Sequence, residues 1–355
     1  MPVSTKSRVT VLDAAWQARL DDHVISLAWS PDNQWLAAAS VAGSIGIFYV
    51  RDGSLVCSLP GHKFGTTAIS WSPDGAQFAS AGQDGKIKLW DLIHAAERRS
   101  LDGGAEWVET IAWGPGKGSG PLLATAAGRK LRLWARDGVL FREYPEHPST
   151  ISDIKWMPTG HDPEKNVLAS AAYGQLTLWN TKSHSAIKVL EWKGSMLAVA
   201  WSPDGRYIAT GNQDSTVHFW IVKTGKDLQM SGYATKVREL AWDFTSRFLA
   251  TGGSDRITVW DCNGKGPAGS KPIVLKGHRG LLSGLSYQPS GVLLASGGDD
   301  GMVALWNPSK QRNPIAIHAF DDSVSQVAWS PNSRYVAAGS HAGELQVIAV
   351  VQDKA

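Results

Sequence analysis

The chain has 355 residues, 43% of them hydrophobic, and 35 basic against 32 acidic residues give a net charge of +3. That content is ample for a core in one or two domains, and the charge is too even to imply a polyanion partner. Two cysteines make no disulfide framework, and no apolar run is long enough to span a bilayer. The N-terminal MPVSTKSRVTVLDAAW has no signal-type apolar segment, so a cytoplasmic location is expected.

In chain order, residues 9–16 read as one isolated strand. Eight units follow, at about 24–59, 66–101, 108–144, 151–190, 196–230, 237–275, 281–317 and 324–351. The second unit shows the pattern best. Its β-type runs are Thr67–Ser72, Gln77–Ala81 and Lys86–Trp90, separated by the turn signals Ser-Pro-Asp-Gly and Gln-Asp-Gly. The aromatic that ends the first run recurs at Trp29, Trp71, Trp113, Trp156, Trp201, Trp242, Tyr287 and Trp329, at spacings of 41 to 45 residues. A third-strand aromatic keeps the same rhythm at Phe48, Trp90, Trp134, Trp179, Trp220, Trp260 and Trp306, with Ile348 in the last unit. The chain's 17 tryptophans therefore sit largely at two fixed phases.

Within the second unit, His62, Ser80, Asp84 and Trp90 can satisfy one another as a buried chain of hydrogen bonds. The Gly-His start, the Ser-Pro-Asp-Gly turn and the Trp-Asp end resemble the WD40 repeat, and the resemblance covers nearly the whole chain. It implies an all-β fold, a WD40-type β-propeller of four-stranded blades in a single domain, 1–355. In that family His, Ser or Thr, Asp and Trp form a structural tetrad. Full tetrads are expected at His62, Ser80, Asp84, Trp90 and at His278, Ser296, Asp300, Trp306. Eight first-strand anchors imply eight blades, with seven as the rival count. The last unit has no fourth strand after it, so the N-terminal strand is expected to complete that blade and close the ring.

The other units depart from the motif. The fifth has Trp192 at the His position and the sixth Tyr233; the third and fourth lack the Asp, with Gly174 in its place in the fourth. In the first and eighth, Ala42 and Ala342 stand for Asp, and Ala38 and Ala338 for Ser. Insertions at Gly114–Pro121, Thr159–Asn166 and Cys262–Pro272 fall, by the family's topology, on the bottom face.

Catalysis finds little support. Gly116–Ser119 does not complete a phosphate loop, and there is no G-x-S-x-G elbow, H-E-x-x-H or zinc-spaced cysteine pair. Ser80, His62 and Asp84 look like a nucleophilic triad but belong to the expected tetrad, so no catalytic residue and no cofactor is assigned. A metal or hydrolytic reading would use Asp21, Asp22, His23, Asp321, Asp322 and His341 near the closure seam; their bland alternative is strand capping. The function the resemblance implies is a non-catalytic scaffold that docks a protein or peptide on the top face and supports complex assembly. The residues expected there are Lys63, Phe64, Gln83, Trp107, Trp192, Lys193, Gln213, Tyr233, Lys236, Arg279 and Asp299. For Trp192 and Tyr233 the alternative is that each fills the space of a missing His. RNA stacking on these aromatics is a second alternative, disfavoured by the charge balance. A monomeric propeller with no membrane contact is expected.

Overall fold

The computed structural model describes residues 10–114, 120–158, 166–264, 266–267 and 269–350. The second unit forms strands Thr66–Trp71, Phe78–Gly82 and Lys86–Asp91, each within a residue of its expected bounds, and Ala96–Asp102 adds the outer strand. They pair antiparallel in sequence order. The register sets Ile69 opposite Ser80 and Ser80 opposite Lys88.

Seven more sheets repeat this meander, starting at Val24–Trp29, Thr110–Trp113, Ile151–Trp156, Met196–Trp201, Leu240–Trp242, Leu282–Tyr287 and Val324–Trp329. The propeller therefore has eight blades, not seven. Because every blade is an antiparallel meander, the loops leading into the blades and the second-to-third-strand turns share one face, the top. The remaining turns share the bottom. The turns 115–119 and 159–165, expected as bottom-face insertions, lie outside the described residues, as do residues 265 and 268 of the third.

Ring closure differs in detail from expectation. The strand that completes the eighth blade is Ala14–Arg19, not 9–16, and it pairs antiparallel with Glu344–Ala349. Its alternation explains the shift. Trp16 is buried, Ala14 and Ala18 are half-buried, and Ala15, Gln17 and Arg19 face water. Trp16 packs against Phe48 with ring centroids 6.0 Å apart and donates its indole N–H to Val50 O at 2.8 Å, so the closing strand is also bolted to the first blade. Upstream, Thr10–Val11 runs parallel to the outer strand of the seventh blade, Ala316–Ala319, and gives that sheet a fifth strand.

The core is not one mass. It consists of eight clusters, each shared by two neighbouring blades: Leu89, Ile111 and Trp134 between the second and third, Val24, Trp16 and Val347 between the eighth and first. Inner strands are buried, whereas the outer strand Ala96–Asp102 is exposed at all but Leu101. The first-strand tryptophans cross these interfaces. The indole N–H groups of Trp29, Trp71, Trp156, Trp201 and Trp242 donate to Ala328, Ala28, Ala112, Lys155 and Ala200 O, each on the preceding blade, at 3.0–3.2 Å. Where a serine stands at that neighbouring position, the arrangement changes. Ser70 and Ser286 instead accept from the backbone N–H of Trp113 and Trp329, whose indoles have no partner among the described residues. Among the described residues no helix is long and apolar enough to cross a membrane.

Trp16→Ala should cost about 3–5 kcal/mol, because it empties a buried site and removes a cross-blade hydrogen bond. Deleting residues through Arg19 should leave the Glu344–Ala349 edge unpaired and drive self-association. Urea unfolding and light scattering check the two; a monomeric deletion variant with unchanged midpoint would refute this account of closure.

Candidate functional site

The blade-two tetrad is a directed chain. Trp90 Nε1–H donates to Ser80 Oγ (2.8 Å), Ser80 Oγ lies 2.7 Å from His62 Nε2, and His62 Nδ1 lies 2.9 Å from Asp84 Oδ1. With Ser80 donating to Nε2, the imidazole is neutral and carries its proton on Nδ1, aimed at the carboxylate. Burial pushes the His62 pKa down, and Asp84 only partly opposes it. Burial works against the Asp84 carboxylate, yet hydrogen bonds from His62 and from the Lys86 and Lys63 amides hold its pKa below the usual range. Ser80 is wholly buried and both its neighbours are occupied, so this Ser-His-Asp set offers no nucleophile to a substrate. Blade seven repeats the geometry through His278, Ser296, Asp300 and Trp306, and Arg279 N donates to Asp300 at 2.7 Å.

The departures have distinct consequences. In blade four, His147 Nε2 meets Ser170 Oγ at 2.7 Å, but with Gly174 in place of Asp its buried Nδ1 has no partner among the described residues. Burial drives its pKa down to about 4. In blade six, the Tyr233 hydroxyl takes the imidazole's place, 2.9 Å from Thr251 Oγ1, and accepts from Trp260 Nε1 at 3.0 Å. Tyr233 is half-buried and its hydroxyl is taken up inside the sheet, which corrects its place among surface contact residues. Trp192 is likewise half-buried, its ring 3.8 Å from that of His218, so it packs on the blade.

Two aromatics stand clear of the top face. Phe64 is 81% exposed and Trp107 is 56% exposed. Phe64 sits at φ +64°, a conformation costing a side-chain-bearing residue roughly 1–2 kcal/mol. Its loop is clamped on both sides: Lys63 N donates to Asp84 Oδ2 at 3.1 Å, and Gln83 N to Gly65 O at 2.9 Å. Trp107 flanks the same blade-two turn from the other side, where Gly103 N reaches Gly85 O at 2.9 Å and Val108 N reaches Gly82 O at 3.2 Å. Only glycine serves at position 85, since φ is +70° and a Cβ would lie 2.6 Å from Ala105 O. Lys63, Lys193, Gln213, Lys236, Arg279 and Asp299 are exposed, and Gln83 is half-buried. Tyr173 (59% exposed) and Leu281 (47%) join this face without having been singled out in the sequence. Tyr173 was legible: it precedes Gly174 as Gln83 precedes Asp84, and the missing Asp hid it.

The seam residues do not converge as a metal site. His23 and His341 lie ring against ring at 4.2 Å, and burial and His341 pull the His23 pKa down. Asp22 and Asp322 cap the amides of His23 and Ser323, and Asp21 accepts from Ser44 at 2.7 Å. Among the described residues no three His, Cys, Asp or Glu side chains are grouped to hold a metal ion.

An eight-bladed ring with buried His-Ser-Asp-Trp chains defines a WD40-type propeller. The family described as "WD domain, G-beta repeat" matches residues 16–48, 53–91, 185–220, 226–261, 269–307 and 313–348, and the chain belongs to that family. It is 31% identical over 196 residues to "Cell division cycle 20.1, cofactor of APC complex" of Arabidopsis thaliana, covering 51% of this chain and 42% of that one. It is 26% identical over 210 residues to "Anaphase-promoting complex subunit cdc20" of Dictyostelium discoideum (54% and 40% covered). Against "APC/C activator protein CDC20" of Saccharomyces cerevisiae it is 30% identical over 173 residues (48% and 28%). The alignments thus span less than half the length of these curated relatives. Among solved structures, the computationally designed Ika8 protein superimposes with a TM-score of 0.77 at 19% identity, covering 97% of this chain and 100% of that one, a likeness of fold alone.

Asp84→Ala or Asp300→Ala should each cost about 1–3 kcal/mol by leaving a buried imidazole N–H and a loop amide unpaired, read as a lower urea midpoint. Acid should act through His147. The unfolded chain takes up that proton near pH 6.5 and the folded blade only near 4. The protein should therefore lose stability as pH falls through that window, by roughly 3 kcal/mol from this residue. His147→Gln should flatten the pH dependence between 7 and 4.5; an unaltered slope would clear His147 of the effect.

Proposed function

We propose that this chain is a non-catalytic platform that docks a protein partner on its top face, with Phe64 and Trp107 as the anchors. The observation that carries this reading is Phe64. A bare aromatic held at a costly backbone angle by two clamping hydrogen bonds stabilises nothing in the chain itself. Aromatic side chains on a rigid rim are favoured interface anchors, and a pre-ordered loop lowers the entropy lost on association. The names of the relatives support a role within a multi-protein assembly, since they describe a cofactor, a subunit and an activator of the anaphase-promoting complex. The partner of this chain is read as a protein on the same ground, without transfer of that complex's identity.

The test is affinity capture from native cell extract with wild type and the Phe64→Ala, Trp107→Ala double variant, compared by mass spectrometry. A protein retained by wild type and reduced at least tenfold in the variant, at equal thermal stability, is the expected result. Equal capture by both would remove Phe64 and Trp107 as anchors. Recovery of RNA or a bound metal in place of a protein would overturn the reading.

A further inference from the structure

On the bottom face, opposite the surface just described, the first-to-second-strand turn of blade eight separates two adjoining cavities. Their volumes are about 620 Å3 and about 450 Å3, and Asn332, Arg334 and Tyr335 line both. The larger reaches across the junction to Tyr49 and Arg51 of blade one. No carboxylate lines either cavity among the described residues.

The same turn occurs in blade five, and the contrast between the two is informative. There Ser-Pro-Asp-Gly-Arg-Tyr places Asp204 two residues before Arg206. Asp204 Oδ1 accepts from Ser202 Oγ (2.7 Å) and Arg206 N (3.0 Å), while its second oxygen binds Arg206 Nε at 2.5 Å. Blade eight reads Ser-Pro-Asn-Ser-Arg-Tyr. Asn332 Oδ1 keeps both turn bonds, to Ser330 Oγ (2.8 Å) and Arg334 N (3.1 Å). The amide nitrogen replaces the second carboxylate oxygen, and as a donor it cannot accept from a guanidinium as Asp204 does. Arg334 is exposed, and its guanidinium has no hydrogen-bond or ion-pair partner among the described residues. The turn is nonetheless fixed, because Asn332 N donates to Asn33 Oδ1 of blade one at 2.8 Å and Ser333 Oγ receives Ser290 N at 2.9 Å.

A guanidinium with an empty fork on a fixed turn, over a cleft lined by no carboxylate among the described residues, matches a planar oxyanion. The half-buried Tyr335 and the 41%-exposed Tyr49 give the cleft walls for an extended backbone, while Arg51 at the rim is already paired with Asp52 at 2.9 Å, so the cation offered to a ligand is Arg334. We propose that this cleft between blades eight and one binds an acidic, extended peptide segment of a partner, with one carboxylate seated on Arg334.

The test is fluorescence anisotropy with a labelled peptide of alternating Glu and Gly. Asn332→Asp is the informative variant, since it restores the blade-five pairing and occupies Arg334 without removing it. Asn332→Asp and Arg334→Ala should each weaken binding about tenfold at unchanged melting temperature. The Phe64→Ala, Trp107→Ala variant should bind the peptide as wild type does, which keeps this site's fate separate from that of the top face. Unchanged affinity in Asn332→Asp, equal affinity for a Gln-for-Glu peptide, or tighter binding of a phosphoserine peptide would each overturn the assignment.

Discussion

A four-stranded sheet has two faces and too few residues to hide either by itself, so every blade here depends on its neighbours. All eight apolar clusters straddle a blade boundary. The first-strand indoles add hydrogen bonds across five of those boundaries, and one of them, Trp29 to Ala328 O, joins the first blade to the last. Stability of this kind is conditional on closure. The ring is closed in sequence by Ala14–Arg19 pairing with Glu344–Ala349, and in packing by Trp16 passing from that strand to Phe48 and Val50 of the next blade. Any opening of the seam therefore exposes a sheet edge and an apolar cluster together.

With the interfaces carrying the fold, the His-Ser-Asp-Trp chains are free to vary, and they do. Blades two and seven hold them entire, blade six rebuilds the chain around a tyrosine hydroxyl, and blade four leaves one imidazole nitrogen unpaired. The intact chains have a local effect beyond stability. Asp84 collects His62 and two amides at once, one of them from the loop that carries Phe64. The same turn receives the loop that carries Trp107. A buried network thus holds two exposed aromatics in place on the top face.

Sequence repetition also makes exceptions informative. One turn type appears in blades one, two, five and eight; its fifth residue is arginine in blades five and eight, and the third residue, Asp204 or Asn332, decides whether that arginine is paired or has no partner among the described residues. Such pairs are visible as letters, but their meaning needs the geometry. Asn332 shows that the first oxygen keeps its turn bonds while the second is lost. Tyr173 shows the reverse limit: its position was readable by alignment to Gln83, yet the motif that marks the position was absent from its blade.

The repeat, the strand phases, the count of eight and the partners in the two intact tetrads were all legible in the order of residues. The repeat, the phases and the count follow from side-chain period, turn chemistry and spacing, which are local and recur eight times, whereas the tetrad partners are what the resemblance to the WD40 repeat implies. Tertiary structure alone decided which N-terminal residues close the ring, because that choice rests on where Trp16 finds a pocket on another blade, 34 residues away. It also decided that Thr10–Val11 turns aside to blade seven, that Trp192 and Tyr233 lie against their sheets, and that the His23 and His341 rings meet at 4.2 Å. Each of these outcomes depends on contacts between blades or loops distant in the chain, where no local period constrains the result.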